Sequence, residues 1–160
     1  MSTTSNMGLT LINSSDLVSP DPINSNFTAV DVLGKDYVTS SGTSGSWWYR
    51  KWKSGRAECG IDNRSFGSVS ASIVYGNNTG LYCSKDLTFG SYPFTFASVP
   101  MVYIAPRTWS GISSVGYYLL HLVAAGSSVS TSPTWRILTN VSGTFSNLYA
   151  GIYVCGKVSS

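Results

Sequence analysis

The fold class is decided by the stretch Trp47-Trp-Tyr-Arg-Lys-Trp52, the turn Lys53-Ser-Gly55 and the segment Arg56-Ala-Glu-Cys-Gly-Ile61. Two runs of strand-forming residues that are separated by a short loop containing glycine predict a β-hairpin. Side chains alternate between the two faces of a strand, so one face of this hairpin enters a core and the other makes contacts outside it. We expect Arg50 or Lys51 to pair with Glu58 across the hairpin.

The rest of the chain after this hairpin repeats the same pattern of short apolar runs between turn residues. Gly76-Asn-Asn-Thr-Gly80 is a strong turn signal, and no helix signal follows Gly34. Regular short strands of this kind predict an all-β fold, an antiparallel β-sandwich of about six to eight strands. The further predicted strands are Ser68–Tyr75, Leu81–Cys83, Lys85–Phe89, Tyr92–Phe96, Met101–Ile104, Tyr117–Ala124, Pro133–Thr139 and Asn147–Lys157.

The amino-terminal part is predicted to be different from the strand-rich part. Asp21-Pro22 provides an N-cap and a proline at the first helical position, so we expect a short helix over 22–33. Ser40–Ser46 has the composition of a flexible linker. We therefore divide the chain into an attachment and oligomerisation arm, 1–46, and a β-sandwich domain, 47–160. The apolar stripe of the helix either forms an oligomer seam or packs on its own domain, and it consists of Ile23, Phe27, Val30 and Leu33.

Composition limits the functional classes. Charged residues make up 11% of the 160 residues, against about 25% in an average domain. So few charges favour a surface that is hidden against copies of the same chain. The net charge of +3 does not by itself indicate nucleic-acid binding. No apolar run reaches membrane-span length, and the sequence starts without the features of a signal peptide.

No catalytic constellation is evident in the sequence. The single histidine, His121, lies in an apolar predicted strand, which favours a structural role over a general base. Glu58 and Asp62 are close in sequence, but nothing supports a glycosidase pair. The three cysteines have no zinc-ligand spacing. We predict a protein that is not an enzyme and has no cofactor and no metal site.

Two motifs resemble small structural proteins of bacteriophages. The first combines Asp21–Phe27 and Leu33–Val38 with the hairpin Trp47–Cys59, and it resembles a segment of phage and prophage proteins from Gram-positive gut bacteria. The second, Leu87–Tyr103 together with Leu148–Gly156, is similar to tail-fibre tip domains and H-type lectins. That resemblance implies a trimeric, sugar-binding β-sandwich. The final strand departs from it, since Gly151-Ile-Tyr153 stands where those lectins usually have a tryptophan.

Taken together, the leading hypothesis is a virion protein, a tail fibre or receptor-binding protein that contacts host cell-surface glycan. Its partners would be two sister copies, other virion proteins through the arm, and carbohydrate, with no nucleic acid and no membrane insertion. It would be made in the host bacterial cytoplasm. Alternatives are a capsid decoration or neck protein with protein contacts only, and a single-stranded nucleic-acid-binding barrel. The candidate ligand residues lie in loops at one end of the sandwich and are Asn77, Asn78, Tyr103, Arg107 and Trp109.

The basic and aromatic residues of the hairpin are open to three interpretations. They are structural, or they stack on sugar rings, or they form a stacking platform for single-stranded nucleic acid. The residues that face one way are Trp48, Arg50 and Trp52, and those that face the other way are Trp47, Tyr49 and Lys51.

Overall fold

The described part of the chain is an antiparallel all-β structure. The computed structural model describes residues 36–77, 80–110, 119–123 and 128–158. The chain divides into two compact units, Met1–Tyr37 and Val38–Ser160, and all described strands belong to the second unit. The predicted helix 22–33 and its stripe Ile23, Phe27, Val30 and Leu33 lie outside the described residues. The strands are β1 (Val38–Ser44), β2 (Trp47–Trp52), β3 (Arg56–Val74), β4 (Tyr82–Ser84), β5 (Met101–Ser110), β6 (Leu119–Val123), β7 (Thr134–Thr139) and β8 (Gly143–Lys157).

Two long strands organise the sheet. Strands β3 and β8 pair with each other along most of their lengths, from Arg56 opposite Lys157 to Ala71 opposite Gly143. The first half of β3 pairs with β2, and its last residues pair with β4. The other edge of β8 pairs with β5. One path of hydrogen-bonded neighbours is β1-β2-β3-β4-β7-β6. Strands β8 and β5 branch from this path at β3, because β8 pairs with β3 and β5 pairs with β8.

The predicted hairpin at 47–61 is present. Strand β2 pairs with β3 so that Trp48 is opposite Gly60 and Arg50 is opposite Glu58. Trp47 is buried and packs edge-on against Tyr92, with the ring centroids 5.6 Å apart. The hairpin therefore places alternate side chains on opposite faces, as predicted.

The core is formed by alternate residues of β3, β7 and β8 together with aromatic rings from the segment between β4 and β5. The predicted alternation in the last strand is confirmed, because Leu148, Ala150, Ile152 and Val154 are all buried. Trp135 is completely buried and stacks on Phe89 at a centroid distance of 6.1 Å. The remaining members of the core are Ala57, Cys59, Ile61, Val69, Ala71, Tyr92, Phe96, Ile104, Ile137 and Phe145.

Residues 40–46 are not a linker. Strand β1 covers Val38–Ser44 and pairs with the whole of β2, and Gly45 then turns the chain at a φ of 58°. Every residue of β1 is exposed. A strand that is solvated on both faces has no hydrophobic alternation, so its serine, threonine and glycine content was misread as a linker.

Two further strand predictions need correction. The segments 85–89 and 92–96 are not strands: the first has an isolated bridge at Leu87, and the other isolated bridge, at Ser91, lies between the two segments. Gly90, at a φ of 84°, turns the chain between them, and the hydroxyl of Ser132 accepts a hydrogen bond from the Phe89 amide. The alternating aromatic residues in this segment cover the core without forming sheet. Conversely, 56–61 and 68–75 were predicted as separate strands, but both belong to the single strand β3. The polar stretch between them is also part of β3 and pairs with β8 in an irregular register.

Candidate functional site

The sheet face that points away from the core carries a row of three aromatic rings. Four residues on neighbouring strands form a line across the sheet, each directly opposite the next. Tyr103 on β5 is opposite Tyr153 on β8. Tyr153 is opposite Gly60 on β3, which is opposite Trp48 on β2. The ring centroids are 6.3 Å apart for Tyr103 and Tyr153 and 6.1 Å apart for Trp48 and Tyr153. We call Trp48, Tyr153 and Tyr103 the aromatic row.

Two glycines make room for this arrangement. A Cβ atom at Gly60 would lie 2.7 Å from Cζ2 of Trp48 and 2.7 Å from the carbonyl oxygen of Ile152. A Cβ atom at Gly151 would lie 2.8 Å from the carbonyl oxygen of Asp62 and 3.3 Å from Nε of Arg107. Real Cβ atoms do not approach other atoms as closely as 2.7–2.8 Å. Glycine is therefore required at both positions for the indole and the guanidinium to lie close to the sheet.

Two carboxylates fix two of the rings. The indole Nε1–H of Trp48 donates a hydrogen bond to Oδ1 of Asp62 at 3.1 Å. The hydroxyl of Tyr153 donates to Oε2 of Glu58 at 2.5 Å, and Arg50 lies 3.7 Å from the other oxygen of Glu58. This ion pair confirms the cross-hairpin pairing predicted for Glu58. The hydrogen bond to Glu58 raises the pKa of Tyr153, and the neighbouring Arg56 opposes that rise only in part.

Beside the aromatic row lies an open cleft of about 280 Å³, which we call the outer cleft. Its walls combine aromatic faces with one carboxylate and one guanidinium, those of Asp62 and Arg107. Within the described ranges, the guanidinium of Arg107 has no hydrogen-bond or ion-pair partner. The lining residues are Trp48, Ile61, Asp62, Tyr103, Ala105, Arg107, Gly151, Ile152 and Tyr153. Aromatic faces with a few fixed polar groups are the chemistry that holds a ring with hydroxyl groups.

The structure brings together only two of the five predicted ligand residues. Tyr103 and Arg107 both line the outer cleft. Asn77 lies in the exposed turn after β3 and does not line this cleft, so the structure does not bring it together with Tyr103 and Arg107. Asn78 is outside the described residues. Trp109 belongs to β5 by its backbone, and its side chain is likewise outside the description.

The predicted loop 107–109 is in fact part of strand β5. The strand continues from Met101 to Ser110 and pairs with β8 to its end, with register shifts on either side of Thr108. Pro106 lies within this strand although proline removes a ladder hydrogen bond and is uncommon inside a sheet. The register shifts on either side of Thr108 accommodate Pro106 within the strand, so Arg107 belongs to the sheet and not to an end loop.

Among the aromatic and charged residues of the cleft, Asp62 and Tyr153 were not predicted as ligand residues, and Trp48 was considered only as a member of the hairpin cluster, with sugar stacking as one of three interpretations. The sequence did contain a signal for Trp48, since the alternation in β2 placed it on the face opposite the core. It contained no local signal that β8 would bring Tyr153 next to it. That contact depends on the pairing of Gly60 with Tyr153, two residues that are 93 positions apart in sequence.

A second depression, about 380 Å³ in volume, lies beside the last part of β3. It has a ladder of serines, of which Ser70 donates to Ser72 at 3.2 Å, and Lys85 at its margin. The only aromatic ring at its edge, Phe66, is held edge-on by Phe89 and Trp135. Although this depression is larger, it lacks exposed stacking faces, and the outer cleft is the better candidate for a ligand site.

The geometry of the two outer-face carboxylates does not match a glycosidase. Glu58 and Asp62 are four residues apart on β3, about 13 Å along an extended strand, whereas glycosidase carboxylates are about 5–9.5 Å apart. Glu58 is buried and bonded to Tyr153 and Arg50. Both carboxylates therefore act here as fixed partners of neighbouring side chains.

Among the described residues, no group of three or more His, Cys, Asp or Glu side chains is placed to hold a metal ion. His121 lies in β6 opposite Arg136, and its side chain is outside the description. No helix in the described part is long and apolar enough to cross a membrane.

Comparisons with known proteins give no match: no family model, no curated protein and no solved structure is significantly similar to this chain. The resemblance to phage tail-fibre proteins thus depends on the quoted motifs alone and stays a prediction.

Proposed function

We propose that this protein is a non-catalytic receptor-binding protein of a phage virion and that its outer cleft binds cell-surface carbohydrate of the host. The observation that carries the proposal is the aromatic row beside Asp62 and Arg107. Sugar rings present apolar C–H faces that stack on aromatic side chains, and their hydroxyl groups pair with carboxylates and guanidinium groups. The outer cleft offers both kinds of contact.

Preorganisation of the cleft supports binding. Trp48 and Tyr153 are each held by a carboxylate, and glycines bring the backbone close beneath the site. Side chains that are already fixed lose little conformational entropy when a ligand binds. An uncharged, polyhydroxylated ligand such as a neutral sugar gains most from such a site, because each of its contacts is individually weak.

The virion placement and the trimer belong to the same proposal. Phage resemblance, the low charge content and the stripe Ile23, Phe27, Val30 and Leu33 support them. Sedimentation equilibrium of the full chain should give three copies at micromolar concentration. A monomer would contradict the trimer while leaving the carbohydrate site open to its own test.

The carbohydrate site is tested by binding of the full-length protein to a glycan array, followed by titration calorimetry on the glycans retained. Trp48→Ala and Tyr103→Ala should each weaken binding by about tenfold or more, because each removes a stacking face worth about 1–3 kcal/mol. Ile73→Ser is the matched control, since Ile73 is an exposed apolar residue outside the cleft. Unchanged binding in both cleft variants would refute the site.

A virion protein with protein contacts only is the second candidate. Its support is the exposure of three apolar residues at and before β5, namely Val99, Met101 and Tyr103, each 57–58% exposed. Exposed apolar residues in a continuous group are typical of protein interfaces. A decoration or neck protein should bind no glycan on the array, and a partner virion protein should protect Met101 and Tyr103 from labelling.

A further inference from the structure

The charges of this chain are divided unevenly along the sequence. Residues 38–160 contain nine Lys and Arg against three Asp and Glu, whereas residues 1–37 contain one Lys and four Asp. The net charge of the strand-rich unit is therefore +6 and that of the preceding unit is −3. The overall value of +3 conceals a markedly cationic β domain.

All three acidic residues of the β domain already have a partner. Glu58 binds Tyr153 and Arg50, Asp62 binds Trp48, and Asp86 forms an ion pair with Arg136. The cations paired with Glu58 and Asp86 are Arg50 and Arg136, and the domain has six more cationic than acidic side chains. The positive field of this domain is available to a ligand.

Along the strand direction, cations lie on both sides of the aromatic row. Arg56 is directly opposite Lys157 where β3 and β8 begin and end, and by alternation both point to the outer face. Like charges placed opposite each other on neighbouring strands are destabilising. Arg56 is held over the ring of Trp52, with its Cζ 5.0 Å from the centroid. Arg107 lies at the opposite end, beyond Gly151.

The distance between these two ends sets the size of the ligand. About seven residues of β8 separate the level of Arg107 from Lys157, so the two cationic ends are about 20 Å apart. The aromatic row lies between them. A single sugar ring cannot reach both ends, whereas a carbohydrate chain laid along the strands can.

We infer that the outer cleft takes an anionic glycan, a carbohydrate chain bearing carboxylate or phosphate groups, laid along β3 and β8. One of its rings stacks on the aromatic row where the chain crosses it, and its anionic groups lie at Arg107 and at the pair of Arg56 and Lys157. Guanidinium groups bind carboxylate and phosphate through two parallel hydrogen bonds. Binding of such a chain also removes the repulsion between Arg56 and Lys157. This inference rests on the proposed carbohydrate-binding function.

Calorimetry on the full-length protein tests it with three oligosaccharides of equal length: one neutral, one with uronic-acid carboxylates and one with phosphodiesters. A single-stranded oligonucleotide of similar charge is a fourth arm. At least one anionic glycan should bind about tenfold more tightly than the neutral one at roughly 50 mM salt and lose most of that advantage at roughly 300 mM. Comparison of the carboxylate and phosphate arms identifies the anionic group.

Variants locate the effect. Arg107→Gln and the double change Arg56→Gln with Lys157→Gln should each weaken the preferred anionic glycan by about tenfold. The double change lies outside the outer cleft and should alter neutral binding by less than about twofold. Lys85→Gln is the matched control, because it removes the same charge beside the second depression. Equal or tighter binding of the neutral chain would overturn this inference alone. No binding of any glycan would overturn the proposed function too. Equal binding of the oligonucleotide would replace both by nucleic-acid binding.

Discussion

The indole of Trp48 fills the space above Gly60, the residue directly opposite it on the neighbouring strand. This cross-strand pair holds a large aromatic ring against the sheet on its solvent side. The hydrogen bond from the indole to Asp62 fixes the ring in that position. A side chain with no contribution to the core is therefore as well ordered by its contacts as a core residue.

Gly60→Ala should displace the Trp48 ring and lower both stability and glycan affinity. The added methyl group meets the indole and the carbonyl oxygen of Ile152, and overpacking of this kind destabilises by about 1–3 kcal/mol. Urea unfolding measures the loss. In a Trp48→Ala background the same change should be less destabilising by about 0.5 kcal/mol or more. Equal losses in the two backgrounds would mean that the ring does not rest on Gly60.

Removal of the hydroxyl group should affect the free energy of unfolding differently at Tyr153 and at Tyr92. Tyr153→Phe removes the hydrogen bond to buried Glu58 and should destabilise by about 1–3 kcal/mol. Tyr92 is buried, and in the described part of the chain its hydroxyl has no hydrogen-bond partner. Tyr92→Phe should therefore be neutral or stabilise by about 1 kcal/mol. A clear loss of stability in Tyr92→Phe would show that its hydroxyl is satisfied after all.

Alkaline pH should unfold this protein through buried groups that cannot ionise in place. Burial, with a smaller contribution from Glu58, raises the pKa of Cys59 from 9.0 to about 12. Burial likewise raises the pKa of Tyr92 from 10.0 to about 12. A group whose folded pKa is raised stabilises the fold below its unfolded pKa, and this contribution is lost as pH rises toward the folded value.

The free energy of unfolding should therefore begin to fall near pH 9 and decrease further toward pH 12. Urea titrations at several pH values measure this slope, which is about 1.4 kcal/mol per pH unit for each proton. Cys59→Ala should delay the onset from about pH 9 to about pH 10, the ordinary value for tyrosine. An unchanged onset in that variant would exclude Cys59 as the first group to ionise.

Trp135 gives a test of the aromatic core. Its ring is fully buried against Phe66 and Phe89, but its indole Nε1–H has no hydrogen-bond partner among the described residues. Trp135→Ala should destabilise by about 3–5 kcal/mol because it leaves a large cavity. Trp135→Phe should be much milder, about 1–2 kcal/mol, because it also removes the unsatisfied donor. Thermal unfolding of both variants provides the comparison.

Periodicity in the sequence was sufficient for the fold class and for the core-facing residues. The hairpin at 47–61 and the alternation from Leu148 to Val154 were both predictable, because one face of each strand is buried and the other is not. Where burial does not alternate, the prediction was wrong. Strand β1 is exposed on both faces, and the segment around Phe89 is buried without being a strand.

The site was only partly predictable for a related reason. Tyr103 and Arg107 attracted attention through their residue types, and both line the outer cleft. Tyr103 was predicted to lie in the strand Met101–Ile104, whereas Arg107 was assigned to a loop and in fact belongs to the same strand, β5. The contact of Tyr153 with Trp48 depends on β8 pairing with β3 from the far end of the chain. No local pattern encodes such a long-range register.

The pairing of β3 with β8 also constrains how this domain evolves. The two strands come from opposite ends of the β domain, and each contributes to both the core and the outer face. A recombination crossover between β3 and β8 would take the two strands from different parent sequences. These strands would still have to pair in the same register along their whole length. Genetic exchange should thus transmit the domain as a single unit.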